Sequence, residues 1–265
     1  MTDMLDKLYA AKAKVRAADE AGEPLDVVRA RATTRKGERR GFRAALVAAD
    51  GPAIVAEIKR ASPSVGLIVR ELDPAAIARA YEAAGANAIS VLTEADHFLG
   101  DLAYVDIARK ACSLPIIRKD FMRTRYEVAQ SAAYGADCVL AIVAGLDDEE
   151  LREMMDEAAR YNLDVLVEVH DENELARAVK AGATLLGINN RDLRTFETNL
   201  AVTAELLPLV PSNITVISES GVRSREDVQP LYAAGARGFL IGESLMRTND
   251  KAEMIRLLRG GGVPA

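Results

Sequence analysis

A three-residue phrase recurs four times in this chain. Ala84–Ala86, Tyr134–Ala136, Ala181–Ala183 and Ala234–Ala236 read AGA, YGA, AGA and AGA. Each copy follows a segment of helical period and precedes a short apolar run. A glycine just past the last helical turn is a common left-handed helix stop, because it carries no Cβ to clash. The small residue after it leads into the next strand. The phrase is the joint of a repeated helix-to-strand unit, and a succession of such units builds a parallel sheet.

The apolar, strand-like runs are Ala53–Ile58, Ala88–Leu92, Pro115–Ile117, Cys138–Val143, Asp164–Val169, Leu185–Ile188, Ile214–Ile217 and Gly238–Ile241, spaced by about 20–35 residues. Between them the spacing predicts helices over Pro74–Ala84, Arg125–Tyr134, Asp147–Tyr161, Glu172–Ala181 and Arg225–Ala234. Asp73 before Pro74 is a good N-cap with proline at the first helical position. Eight strands alternating with helices over the roughly 215 residues after position 50 favour an α/β fold, a single (β/α)8 TIM barrel. A doubly wound sheet would more often carry GxGxxG after its first strand, and that motif is absent. Residues 1–50 read as helices, Asp3–Ala18, Leu25–Thr33 and Gly41–Ala48. No linker separates them, so the expected organisation is one domain, 1–265, with 1–50 as an N-terminal helical extension.

A net charge of −6 and a pI of about 5.2 argue against a nucleic-acid or anionic-membrane partner. The first residues lack the apolar core of a signal peptide, and no apolar run approaches the ~18 residues of a membrane span. The expected location is cytoplasmic, with a monomer as the default state. Cys112 and Cys138 have no CxxC partner, and His97 and His170 are isolated histidines. The cysteines read as buried thiols, the histidines as structural, and no metal site is expected.

In such a barrel, chemistry collects at the C-terminal ends of the strands. The first strand and its loop read Ile54–Gly66, IVAEIKRASPSVG. Glu57 and Lys59, two apart, share a face with Val55, while Ile54, Ala56 and Ile58 face the other way. Both faces look buried, and one carries opposite charges. A structural ion pair would explain this segment alone. The other strand ends argue for a catalytic site. The second offers Glu94 and Phe98, the third Lys119 on the face of Ile117, the fourth Leu140, the fifth Glu168 on the face of Leu166, and the sixth Asn189 and Arg191. SESGV and LIGESL, after the seventh and eighth, offer glycines and backbone N–H groups with little basic side chain. They suit a phosphate, with Ser62 and Ser64 as further donors. The expected partner is a small phosphorylated molecule with a second anionic group, which Lys59 and Arg191 could hold. Phe98, Leu140 and Leu193 would form an apolar slot for a ring. Lys119 is a candidate general acid and Glu168 a candidate acid/base. Schiff-base chemistry at Lys59 or Lys119 is the less favoured use of a buried lysine.

Through AEIKRASPSVG, VLTEADHFLGD, PIIRKDF, LVEVHD, LLGINNRDLRTF, VISESGV and FLIGESLMR the chain resembles the indole-3-glycerol-phosphate synthases of tryptophan biosynthesis. The resemblance covers every strand end from Ala53 to Arg247, in order. It implies a carboxy-lyase that closes 1-(2-carboxyphenylamino)-1-deoxyribulose 5-phosphate to indole-3-glycerol phosphate, losing carbon dioxide and water without a cofactor. Carried over by motif, Lys119 is the acid at the substrate ketone. Glu168 and Lys59 move protons in dehydration, and Glu57 supports the site or acts as a base. Asn189 and Arg191 orient the anthranilate part, with Arg191 on its carboxylate. Ser62, Ser220, Gly221, Gly242 and Glu243 belong to the phosphate end, and Glu219 is a further substrate-binding residue. Phe98, Phe121, Leu140 and Leu193 enclose the ring. Two departures stand out: Val65 replaces a lysine frequent in the family, and Glu243 stands where a serine or threonine can occur, so only its backbone N–H is expected to help. A phosphoribosylanthranilate isomerase would need a cysteine near the end of the first strand. A non-catalytic phosphometabolite-binding barrel would have no use for Lys119, Glu168 and Asn189 together.

Overall fold

The computed structural model describes residues 4–192, 195 and 197–260. Eight parallel strands close into a barrel: β1 (Ala53–Ile58), β2 (Ala88–Leu92), β3 (Ile116–Lys119), β4 (Cys138–Ile142), β5 (Asp164–Val169), β6 (Leu185–Asn189), β7 (Thr215–Glu219) and β8 (Gly238–Ile241). Each strand pairs with the next in sequence, and β8 closes on β1 with Ala53 opposite Gly238. The helices are α1 (Met4–Gly22), α2 (Leu25–Thr34), α3 (Phe42–Val47), α4 (Pro74–Ala83), α5 (Ala103–Ala111), α6 (Arg125–Ala133), α7 (Asp148–Arg160), α8 (Glu172–Lys180), α9 (Ala201–Leu206), α10 (Arg225–Ala233), α11 (Glu243–Arg247) and α12 (Lys251–Arg259). Ala61–Ser62 and Gly66–Leu67 pair as a small antiparallel ribbon in the loop after β1.

The repeated phrase does the same work at all four copies. Gly85, Gly135, Gly182 and Gly235 have φ of 85°, 87°, 88° and 118°. The alanine after each glycine donates back to the last helical turn: Ala86 to the Tyr81 carbonyl, Ala136 to Ser131, Ala183 to Ala178 and Ala236 to Leu231, at 3.0–3.1 Å. This is a Schellman stop. The following residue then joins the sheet at three of the joints: Asn87 N–H bonds to Ile54 O, Asp137 to Ile116 O and Arg237 to Val216 O. Helix termination and strand pairing thus fall within four residues.

Some boundaries differ from the sequence pattern, each for a local reason. β3 starts at Ile116, since Pro115 has no N–H for the ladder. Val143 leaves the sheet in a short 3-10 turn, Val143–Gly145. β6 and β7 run past Ile188 and Ile217, carrying Asn189 and Glu219 into the sheet. α5 and α9 start one residue later than a usual cap: Asp101 Oδ1 accepts from Ala103 N–H at 2.8 Å and Asn199 Oδ1 from Ala201 N–H at 3.0 Å, while the intervening Leu102 and Leu200 make no side-chain cap bond.

The residues before β1 touch both ends of the barrel. At the C-terminal end, α1 packs Tyr9 edge-on to Phe121 and sets Lys12 Nζ 2.6 Å from Asp120 Oδ2. At the N-terminal mouth, arginines cap carbonyls that the helix and strand ends leave open. Arg40 donates to the carbonyls of Cys112 and Leu114 at 2.9 and 2.8 Å. Its backbone N–H and the Arg109 guanidinium both bond Asp137, which also accepts from Ile116 N–H. The Arg109 and Asp137 side chains are 5% and 0% exposed. Removing one partner of a buried pair typically costs about 3–5 kcal/mol, because the other charge stays buried. Asp137→Ala is therefore expected to lower unfolding free energy by about that much in urea titration; a change under about 0.5 kcal/mol, typical of a surface site, would show the joint to be dispensable.

Candidate active site

Strand alternation turns Val55 and Glu57 into the barrel and Ile54, Ala56 and Ile58 toward the helices. At the C-terminal end the inward residues meet a cavity of about 360 Å³. Its inner end is charged. Glu57, Lys59, Lys119, Glu168, Asn189 and Glu219 line it from β1, β3, β5, β6 and β7. Lys119 Nζ lies 3.1 Å from Glu168 Oε2 and 2.9 Å from Glu219 Oε2. Lys59 Nζ lies 2.7 Å from Glu57 Oε2. All three line the cavity, and Lys119 is the most exposed of them, its side chain 14% exposed against 1% for Glu168 and Glu219.

Burial opposes the charge on Lys119, but the carboxylates of Glu168, Glu219 and Glu57 outweigh it and hold the ammonium protonated well above the ordinary lysine range. The two glutamates diverge. Burial pushes Glu219 up to about 7, with Lys119 opposing and the neighbouring Glu168 charge adding to the rise. Burial acts on Glu168 in the same sense, yet Lys119, His170 and a hydrogen bond from Asn189 Nδ2 at 3.0 Å bring it below its ordinary value. The site therefore carries a cationic acid, an ionised carboxylate, and a second carboxyl that holds its proton to neutral pH.

Close backbone approach makes room for these groups. A Cβ on Gly187 would collide with Glu219 Oε1, and one on Gly242 with Glu57 Oε2. Asn190, pointing away from the cavity, donates to the carbonyls of Glu219 and Ser220 at 2.9 and 3.0 Å. It thereby supports an unusual turn in which Ser220 and Gly221 have φ of 64° and 83°. After β2, Glu94 accepts the N–H groups of Asp96, His97 and Phe98 at 3.1, 2.8 and 2.9 Å. This fold-back sets Phe98 against Phe121, ring centroids 6.0 Å apart, as an apolar wall with Leu140 and Ile142.

The chain matches the family model described as indole-3-glycerol phosphate synthase over residues 5–258. It belongs to the indole-3-glycerol phosphate synthase family. A Burkholderia multivorans protein named indole-3-glycerol phosphate synthase is 44% identical over 256 residues, 96% of this chain and 97% of that one. A Chromobacterium violaceum protein of the same name is 44% identical over 261 residues, 97% of this chain and 98% of its own. Among solved structures, a 3-hexulose-6-phosphate synthase from Salmonella typhimurium superposes with a TM-score of 0.64 at 13% identity. It covers 78% of this chain and 96% of its own. A second 3-hexulose-6-phosphate synthase gives 0.63 at 17%, covering 79% of this chain and 99% of its own. These structures share the barrel fold.

Residues expected from the family motifs converge on the cavity. Besides the charged set, Ser62, Phe98, Phe121, Leu140, Arg191, Ser220, Gly221, Gly242 and Glu243 all line it. Leu193 lies outside the described residues. Val65, where the family often has lysine, is 38% exposed and is not on the cavity wall. Cys112 and Cys138 are buried away from it.

Glu219, expected among the substrate-binding residues, is an ion partner of Lys119; the alternation Ile217, Glu219 carried that signal. Glu94 is 3% exposed and serves as a loop brace. Two expectations need correction. The wall near Gly221 and Gly242 is not poor in basic side chains, because Arg223 and Arg247 line it, and Arg247 Nε pairs with Glu243 Oε1 at 3.0 Å. Neither histidine is isolated: His97 Nδ1 is 3.2 Å from Glu94 Oε1, and His170 lies between Glu174 and Glu168.

The raised Glu219 gives a signed test. Between its ordinary 4.5 and about 7 the folded chain keeps a proton that the unfolded chain releases. Its contribution to stability therefore falls as pH rises through that window, by at most about 1.4 kcal/mol per pH unit. Glu219→Gln is expected to remove this slope from the pH dependence of urea unfolding. Parallel wild-type and variant curves from pH 4.5 to 7 would refute the assignment.

Proposed function

We propose that this chain converts 1-(2-carboxyphenylamino)-1-deoxyribulose 5-phosphate to indole-3-glycerol phosphate, carbon dioxide and water, as a carboxy-lyase of tryptophan biosynthesis. Family membership supports the activity. The observation that carries the residue roles is the Lys119 ammonium, held between Glu168 and Glu219 at the floor of the cavity.

Ring closure joins the aromatic carbon that bears the carboxylate to the ketone carbon. The ketone oxygen must gain a proton as that bond forms, and Lys119 is the cavity-lining cation held between two carboxylates that can supply it. Carbon dioxide then leaves and aromaticity returns. Loss of the new hydroxyl as water needs one proton delivered and another removed. Glu168, ionised and steadied by Asn189, is the acceptor. The Glu57–Lys59 pair on the facing wall is the second donor–acceptor couple. Positioned proton transfer of this kind typically contributes ~10²–10⁴-fold.

Arg191 suits the carboxylate of the substrate's benzoate part until it departs. Phe98, Phe121 and Leu140 suit its ring. Ser62, Ser220, Gly221 and Gly242 suit the phosphate, with Arg223 and Arg247 adding positive charge at that wall. The Glu243 carboxylate is turned to Arg247, which lessens its repulsion of an anion. The same reading makes the chain a cytoplasmic monomer with a small phosphorylated substrate and neither nucleic-acid nor membrane partner. Among the described residues no helix is long and apolar enough to cross a membrane.

Incubation of the purified chain with the carboxyphenylamino substrate is expected to produce indole fluorescence. Its absence with folded protein would sink the proposal. Lys119→Ala is expected to lower kcat by ~10²-fold or more while substrate binding stays measurable by calorimetry. Near-normal turnover in that variant would reject Lys119 as the acid.

A further inference from the structure

His170 follows the last residue of β5 and is held from one side by α8. Glu174 Oε2 accepts the His170 backbone N–H at 2.8 Å and lies 3.1 Å from its Nδ1. The ring is thereby fixed, with Nε2 directed at Glu168. Nε2 is buried with no hydrogen-bond partner, and Glu168 Oε1 lies 3.7 Å away. That separation is too long for a hydrogen bond but within ion-pair range. A neutral ring with its proton on Nδ1 would turn a lone pair toward a carboxylate. The other neutral tautomer would turn the Nδ1 lone pair toward Glu174, and only the imidazolium presents an N–H to both carboxylates.

We propose that His170 is a positioning residue of the active site: pinned by Glu174, it sets a positive charge against Glu168 and, with Lys119, keeps that carboxylate ready to accept a proton. This role rests on the proposed reaction, in which Glu168 is the acceptor. The groups facing His170 are Glu174 from α8, Glu168 from β5 and Glu219 from β7. Lys119 from β3 and Tyr9 from α1 face Glu168 in turn. Burial lowers the affinity of His170 for its proton, but the Glu174 hydrogen bond and the carboxylate charges outweigh it and raise the ring above its ordinary value.

An opposite charge within about 4–6 Å lowers a carboxyl by about 1–3 units. His170→Asn is therefore expected to move the acidic limb of kcat/KM up by about one pH unit. Below the limb this is an about tenfold loss, which narrows as pH rises. Glu174→Gln is expected to move the limb the same way by less. A limb that stays in place in His170→Asn, or a loss by one factor at every pH, overturns the proposal.

A second measurement does not depend on turnover. The chain has two histidines, so His97→Asn leaves one imidazole signal to follow by NMR. Its midpoint is expected above about 6.5, falling in Glu168→Gln and in Glu174→Gln. A midpoint that Glu168→Gln does not move overturns the coupling. Wild-type protein that fails to make indole product while the NMR coupling holds would reject the reaction and not the contact.

Discussion

The active end of this barrel depends on one cluster of buried charge. Lys119 is shared by Glu168 and Glu219, and Glu57 pairs with Lys59 beside them. A lone buried ion is costly, and pairing is what makes such a group tolerable inside a fold. With three carboxylates facing two ammonium groups, the cluster cannot relax every group to its ordinary protonation. Lys119 is driven to remain a cation, Glu168 to remain an anion, and Glu219 to keep a proton to about pH 7. Proton donor and acceptor coexist because the same ammonium serves two carboxyls in unequal surroundings.

The surrounding parts read as consequences of keeping that cluster in place. Gly187 and Gly242 are small where a Cβ would strike Glu219 or Glu57. Asn189 holds Glu168 from β6, and Asn190, facing away, ties β7 to the turn that follows it. Beneath the surface of β3, Arg118 and Asp120 form a buried pair with Lys12 of α1, so the N-terminal helix is anchored one residue from Lys119. At the opposite mouth, Arg40 and Arg109 close the barrel floor onto Asp137. The segment before β1 is thus fastened to both ends of the fold, one chemical and one structural.

Much of this is legible in the sequence. The four glycine joints announced the βα repeat, and all four adopt the expected left-handed stop. Alternation within Glu57–Lys59 and Leu166–Glu168 placed the charged groups on the inner face. Less was legible where meaning depends on how a loop folds back or on a partner far along the chain. Glu219 sits in a serine- and glycine-rich strand end that resembles an anion site, yet its nearest charge is on β3. His170 looked solitary because its two carboxylates come from a strand's inner face and a helix's first turn. The bracing role of Glu94 was not legible, because no sequence rule shows a loop folding back onto its own carboxylate.

The sequence by itself determined the repeat, the barrel and the inward set Glu57, Lys59, Lys119, Glu168 and Asn189, because period-2 alternation and helix stops are local properties of a chain. It also carried the family resemblance, through motifs at every strand end. Only the tertiary structure decided which carboxylate meets which ammonium, and therefore which group holds a proton. That depends on distances across a closed barrel and on burial, and both are set by strands a hundred or more residues apart, as β3 and β7 are around Lys119 and Glu219.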